Sequence, residues 1–258
     1  MLPTPDTSHV PFERVYEPAE DSYLLLDTLS APSETAFLTS RFGGGDGDAS
    51  ASGATAPLVV EIGTGSGVVI AFITAHAATL FGTRAIITAG VDLNPHACAA
   101  TSSTVRRAAL ENPATTSLTW LGASTGDLTA PLRPGSVDVL VFNPPYVPSP
   151  ELPAQSSEVL GVTGRKTTFD EDSYLLSLSY AGGRDGMETT ERLITALPGV
   201  LSNRGCAYIL LCAQNRPEDV KARIEGFGDG WRAVTVRESG KQAGWEKLQI
   251  VRVWRELP

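Results

Sequence analysis

Leu58-Val59-Val60-Glu61-Ile62-Gly63-Thr64-Gly65-Ser66-Gly67 is an apolar run that stops in three alternating glycines. Its first half reads as a buried strand, and the glycines let the backbone turn tightly and approach a ligand closely. A helix follows from about Val68 to Leu80. Outward from this unit the alternation repeats. Strands are expected at 85–91, 117–121, 137–142 and 206–212, and helices at 95–111, 189–201 and 217–224. Strands alternating with helices imply a mostly parallel, doubly wound α/β sheet with right-handed crossovers. Trp231 to Glu238 and Lys247 to Trp254 alternate like a closing β-hairpin. The sheet is therefore seven-stranded, with its last strand inserted antiparallel.

Upstream, Glu20 to Leu29 reads as a helix, with Asp21 or Ser22 capping its start. Residues 1–14 read as a flexible tail, and the Gly/Ala/Ser-rich stretch 41–57 as a flexible surface loop. Residues 15–258 then form one domain, with a long loop over 147–180 on the substrate side. A hydrophobic fraction of 42% in 258 residues supports a sizeable core. The net charge is −9, from 20 basic and 29 acidic residues. Such a chain is ill suited to gripping a nucleic-acid backbone, so no direct nucleic-acid binding is expected. Cys98, Cys206 and Cys212 form no CxxC pair, and His9, His76 and His96 are scattered, so no metal site is expected. Three free thiols fit a reducing compartment. The N-terminus has no secretory pattern, and the apolar-leaning stretch from Gly67 to Gly82 is too short and polar to span a bilayer.

The chemistry gathers where strands end. The G-x-G-x-G spacing of Gly63, Gly65 and Gly67 differs from the G-x-G-x-x-G of dinucleotide binders, whose pyrophosphate rests on a helix N-terminus. Glu61 just before the turn opposes a pyrophosphate but favours a cationic amino acid, such as the methionine part of S-adenosylmethionine. Asp92 ends the second strand, where an acid accepts hydrogen bonds from ribose hydroxyls. Asp127 follows the third; its carboxylate suits an adenine amine, and the Leu128 amide suits a ring nitrogen. After the fourth strand comes Asn143-Pro144-Pro145-Tyr146. Neither proline donates a backbone hydrogen bond, and Asn143 is pushed to an extended conformation. The result is a stiff cradle of acceptors, the Asn143 side-chain oxygen and the Pro144 carbonyl, with Tyr146 as an aromatic wall. It suits a planar NH2 group. Taken singly, each element also has a plain reading as a tight turn, a loop acid or a proline-rich turn.

The closing hairpin is what class I S-adenosylmethionine-dependent methyltransferases have in a Rossmann-like fold. The chain resembles the HemK-type glutamine N5-methyltransferases, and most closely the eukaryotic branch that modifies the class 1 translation release factor. The matching stretches are VYEPAEDSYLLLDTL (15–29), EIGTGSGVV (61–69), VDLNP (91–95), DL (127–128), DVLVFNPPYVP (138–148), AGGRDG (181–186) and GKQAGWEKLQIVRVW (240–254). The resemblance implies S-adenosylmethionine as cofactor, with Ser22 at its methionine end and Glu61 and Gly63 along the methionine and ribose region. It also implies Asp92 on the ribose, Asp127 and Leu128 on adenine, and Asn143 to Tyr146 on the target amide. The loops at 41–57 and 150–180 are longer than the family's usual form.

The resemblance further implies methyl transfer to a glutamine of a Gly-Gly-Gln loop, a cytoplasmic location with the nucleus also open, and a heterodimer with a small zinc-binding activator subunit. The third strand is expected at the sheet edge, where Leu118 and Trp120 offer a strand-pairing surface. A lysine amine, as on a histone tail, fits the same acceptors, and a nucleobase amine fits less well with an acidic chain.

Overall fold

Residues 2–43, 55–153, 167–228, 230–240 and 247–256 are described in the computed structural model of the chain. The helices and strands run in the order α1 Glu20–Leu29, α2 Pro32–Phe42, β1 Leu58–Ile62, α3 Val68–Ala75, α4 Ala77–Phe81, β2 Ile87–Asp92, α5 Pro95–Glu111, β3 Thr119–Thr125 and β4 Val137–Phe142. They continue with α6 Phe169–Tyr180, α7 Glu188–Val200, β5 Leu201–Cys212, α8 Pro217–Glu225, β6 Trp231–Glu238 and β7 Leu248–Arg255. One seven-stranded sheet has the order β3-β2-β1-β4-β5-β7-β6. β7 is antiparallel to both β5 and β6, and the pairs from β3 to β5 are parallel. The class I methyltransferase architecture is therefore present, with β3 at one edge.

Strand residues alternate between two apolar layers, as a pleated strand covered on both faces must. Val59, Val139, Val141 and Tyr208 pack with α1 to α5, whereas Val60, Leu140, Phe142 and Ile209 pack with α7 and α8. The single carboxylate within β4, Asp138, is buried but satisfied. It accepts from Leu58 N (2.9 Å), Ser202 Oγ (2.7 Å) and Arg204 Nε (2.9 Å), and so ties the starts of β1, β4 and β5.

Several sequence expectations change. The first fourteen residues are not a loose tail: Val10 is buried, Pro3 O meets His76 Nε2 at 2.9 Å, and Arg107 pairs with Asp6 at 3.5 Å. The helix expected at 68–80 breaks at His76, which closes α3 and opens α4. The loop expected at 41–57 begins inside α2, whose Arg41 donates to the carbonyls of Arg204 and Arg255, and 44–54 lie outside the described residues. The long loop at 147–180 holds α6, and 154–166 are again outside the described residues. α6, which the sequence expectation leaves as loop, opens with a reciprocal capping box between Thr168 and Glu171. α2 is a further element beyond those expected, and Pro32 takes the first helical position that proline favours.

The glycine turn is held against α5. Gly63, Gly65 and Gly67 all have positive φ, and a Cβ on Gly67 would lie 2.5 Å from the Thr101 Cα. Gly67→Ala combines left-handed strain of about 1–3 kcal/mol with a backbone clash. It should lower the thermal midpoint by several degrees, since each kcal/mol corresponds to roughly 2–4 °C at this size. Scanning calorimetry of the two proteins checks this.

Candidate active site

Parallel register builds the site. Ile62 is the Cα partner of both Val91 and Phe142, so the residues that follow, Gly63, Asp92 and Asn143, stand side by side where the strands end. Asp92 is in turn opposite Thr125, two residues before Asp127. A single cleft along this edge is lined by Ser22, Glu61, Gly63, Gly65, Asp92, Asp127, Leu128, Asn143 and Pro145. Leu175 and Leu178 of α6 close one side, and Asp172 on the same helix reaches Arg14 at 3.3 Å.

Glu61 is 2% exposed, and its Oε2 accepts the Ile70 amide at 2.9 Å, satisfying one of the orphan donors in the first turn of α3. Burial, with Asp92 nearby, pushes its carboxyl well above the usual range. Burial raises Asp92 as well, against hydrogen bonds to Oδ2 from Gly65 N (2.9 Å) and to Oδ1 from Asn94 N (2.8 Å). A buried carboxyl beside a cleft suits a cationic guest, because opposite charge restores the ionised form that burial disfavours.

Asp127 is ion-paired. Arg192 of α7 donates to its Oδ2 at 2.5 Å, a partner that sequence spacing gave no hint of. Leu128 has φ 51, a conformation that costs a side-chain-bearing residue energy and turns its backbone out of the usual course.

The Asn143 segment divides. Asn143 and Pro145 line the cleft, while Pro144 is buried and Tyr146 packs against the apolar layer beneath α1 and α3. Tyr146 is not among the residues that line the cleft and packs on the core instead, so it is not the aromatic wall expected of it. The AGGRDG turn backs this segment. A Cβ on Gly186 would stand 1.9 Å from Tyr146 O, so only glycine admits the contact. Asn215 holds the turn by donating to Asp185 O at 3.1 Å.

Asn143 Nδ2 donates to Asp21 Oδ2 at 3.0 Å, and its Oδ1 is buried with no partner among the described residues. Asp21 and Ser22 are not helix caps; they sit inside the first turn of α1, with Asp21 behind Asn143 and Ser22 on the cleft.

Mouse Methyltransferase HEMK2 is 35% identical over 259 residues, covering 97% of this chain and 96% of that protein. The chain belongs to the HEMK2 methyltransferase family. As a methyltransferase of this family it takes S-adenosylmethionine as cofactor. The eRF1 methyltransferase catalytic subunit mtq2 of Schizosaccharomyces pombe is 29% identical over 264 residues, covering 99% of this chain and 96% of the relative. No family model matches the chain. Among solved structures, the E. cuniculi Mtq2–Trm112 complex, responsible for methylation of the eRF1 translation termination factor, shares the fold. Its TM-score is 0.51 at 24% identity, over 94% of this chain and 99% of that one.

The residues of the cleft fit this cofactor: buried Glu61 on the cleft suits a cationic group, and the glycine turn allows close approach. The pKa directions give a test. Both folded-state values lie above the unfolded ones, so their stabilising effect is present below the ordinary carboxylate range and lost as pH rises through the folded values. Glu61→Gln keeps an acceptor for Ile70 N but removes the charge. Without cofactor it should melt above the parent at mildly alkaline pH. Cofactor affinity, by calorimetry, should fall roughly tenfold, about 1.4 kcal/mol.

Proposed function

We propose that the chain methylates the side-chain amide nitrogen of a glutamine, within a Gly-Gly-Gln loop of the eukaryotic translation release factor. The observation that carries this reading is the Asn143 amide, whose Nδ2 is tied to Asp21 while its buried Oδ1 has no partner among the described residues. A buried acceptor left unpaired costs about 1–3 kcal/mol, and a substrate N–H relieves it. A planar NH2 presents one hydrogen to Asn143 Oδ1 and the other to the Pro144 carbonyl. The S. pombe relative, named as an eRF1 methyltransferase, supports the choice of substrate.

S-adenosylmethionine supplies an electrophilic methyl group when bound. Ser22, Glu61 and Gly63 hold its amino-acid end, with Gly65 shaping the turn; Asp92 accepts from the ribose, and Asp127 with Leu128 receives adenine. Arg192 holds Asp127 in place through their ion pair. An amide nitrogen is a poor nucleophile, so the chain works by position. Asn143 and Pro144 orient the NH2 and stabilise the positive charge that develops on it, as fixed dipoles in a dry pocket do. Positioning of this kind contributes on the order of several kcal/mol. No general base is needed, because an N-alkylated amide cation sheds its proton readily.

The partner is a small zinc-binding activator subunit, which we place on the β3 edge by strand pairing. Leu118 is 68% and Leu121 65% exposed there, an apolar liability that a paired strand removes. Trp120, expected on that surface, instead packs inward against the core, so Leu121 takes its place. The E. cuniculi complex supports a heterodimer of this kind.

Radiolabelled methyl transfer should mark release factor, and not histone or RNA. Asn143→Ala should lose transfer almost wholly while binding cofactor nearly as before by calorimetry; an undiminished rate would sink the reading. Leu121→Asp should abolish co-purification with the activator yet leave the chain folded.

A further inference from the structure

We infer that Asp21 is a positioning residue that sets the direction of the Asn143 side-chain amide, with Tyr16 holding Asp21 in place. The inference rests on the reading of Asn143 as an acceptor for the substrate NH2. A primary amide has two ends of nearly equal size, one accepting and one donating. Flipped about its last torsion, Asn143 would meet the substrate NH2 with its own NH2, donor against donor. Its extended backbone does not choose between the two.

Asp21 chooses. Its side chain is buried with the residue 3% exposed, and it receives four hydrogen bonds among the described residues. Oδ1 accepts from Ser22 N at 2.6 Å and Ser22 Oγ at 3.2 Å. Oδ2 accepts from Tyr16 OH at 2.9 Å and Asn143 Nδ2 at 3.0 Å. Four donors match the roughly four lone-pair positions of an ionised carboxylate. Such a group takes only donors, so Asn143 must turn Nδ2 toward it and leave Oδ1 for the guest. This also accounts for the spacing within VYEPAEDS: Tyr16 and Asp21 flank the turn that enters α1, and Ser22 carries the same carboxylate's grip to the cleft.

The polarity can be reversed. Asp21→Asn puts an amide opposite Asn143 and removes the rule that fixes its direction. kcat should fall on the order of a hundredfold, with the cofactor Kd and melting temperature close to those of the parent. Adding Asn143→Asp to Asp21→Asn restores a donor-to-acceptor bond in the opposite sense and again leaves an oxygen for the substrate. The double variant should regain at least about tenfold over Asp21→Asn, which a merely structural role would not produce. An unchanged kcat in Asp21→Asn, or a double variant no faster than it, overturns the inference. If Asp21→Asn does not fold, Tyr16→Phe decides: kcat should drop several-fold at unchanged cofactor affinity, and an unchanged kcat overturns it. A parent protein that leaves the glutamine peptide unmethylated but transfers to a lysine peptide defeats the substrate reading alone, and the same variants then test Asp21 on that acceptor.

Discussion

β1 lies between β2 and β4, and all three run the same way. Because parallel strands in register end together, one apolar residue, Ile62, fixes where three functional positions stand: Gly63, Asp92 and Asn143 follow Ile62 and its two partners. Helices covering both faces leave the carboxyl edge as the open place for a ligand. The inserted antiparallel β7 leaves this edge untouched, since it pairs with β5 and β6 on the far side.

Besides Asp21, the buried and half-buried carboxylates of the sheet and α2 differ in their partners. Asp138 is paired with Arg204, and Glu34 with Arg252 at 2.7 Å and the Tyr208 hydroxyl at 2.9 Å. These are structural: charge meets charge within the fold, at the ends of strands and under α2. Glu61 and Asp92 instead accept from backbone amides, and burial raises both. Neither is ion-paired with a basic side chain among the described residues, and both line the cleft.

Much of this was legible in the residues. The bounds of α1, α5, β4 and β6 follow from periodicity and punctuation, because those elements are long or sharply flanked by proline and asparagine. Glu61, Asp92, Asp127 and Asn143 could be named because each lies at or near the carboxyl end of a strand. What escaped was of two sorts. α2 and α6 carried local signals, Pro32 and the Thr168–Glu171 box, hidden in polar surroundings. Arg192, Asp21 and the inward turn of Tyr146 carried none, because their meaning lies in contacts across 65, 122 and many other residues of chain.

The sequence by itself determined the alternation of elements and the ends of β1, β4 and β5, though not that of β3, which runs four residues past the expected 121, and hence most of the row of acids and the asparagine at the sheet edge. Those follow from hydrophobic period and from glycine and proline, which act within a few residues. Only the tertiary structure decided which way the Asn143 amide points, which acids are paired and which await a ligand, and that Tyr146 supports the floor rather than the wall of the cleft. Such choices depend on the directions of hydrogen-bond donors brought together from distant segments, and the order of residues along the chain does not record direction.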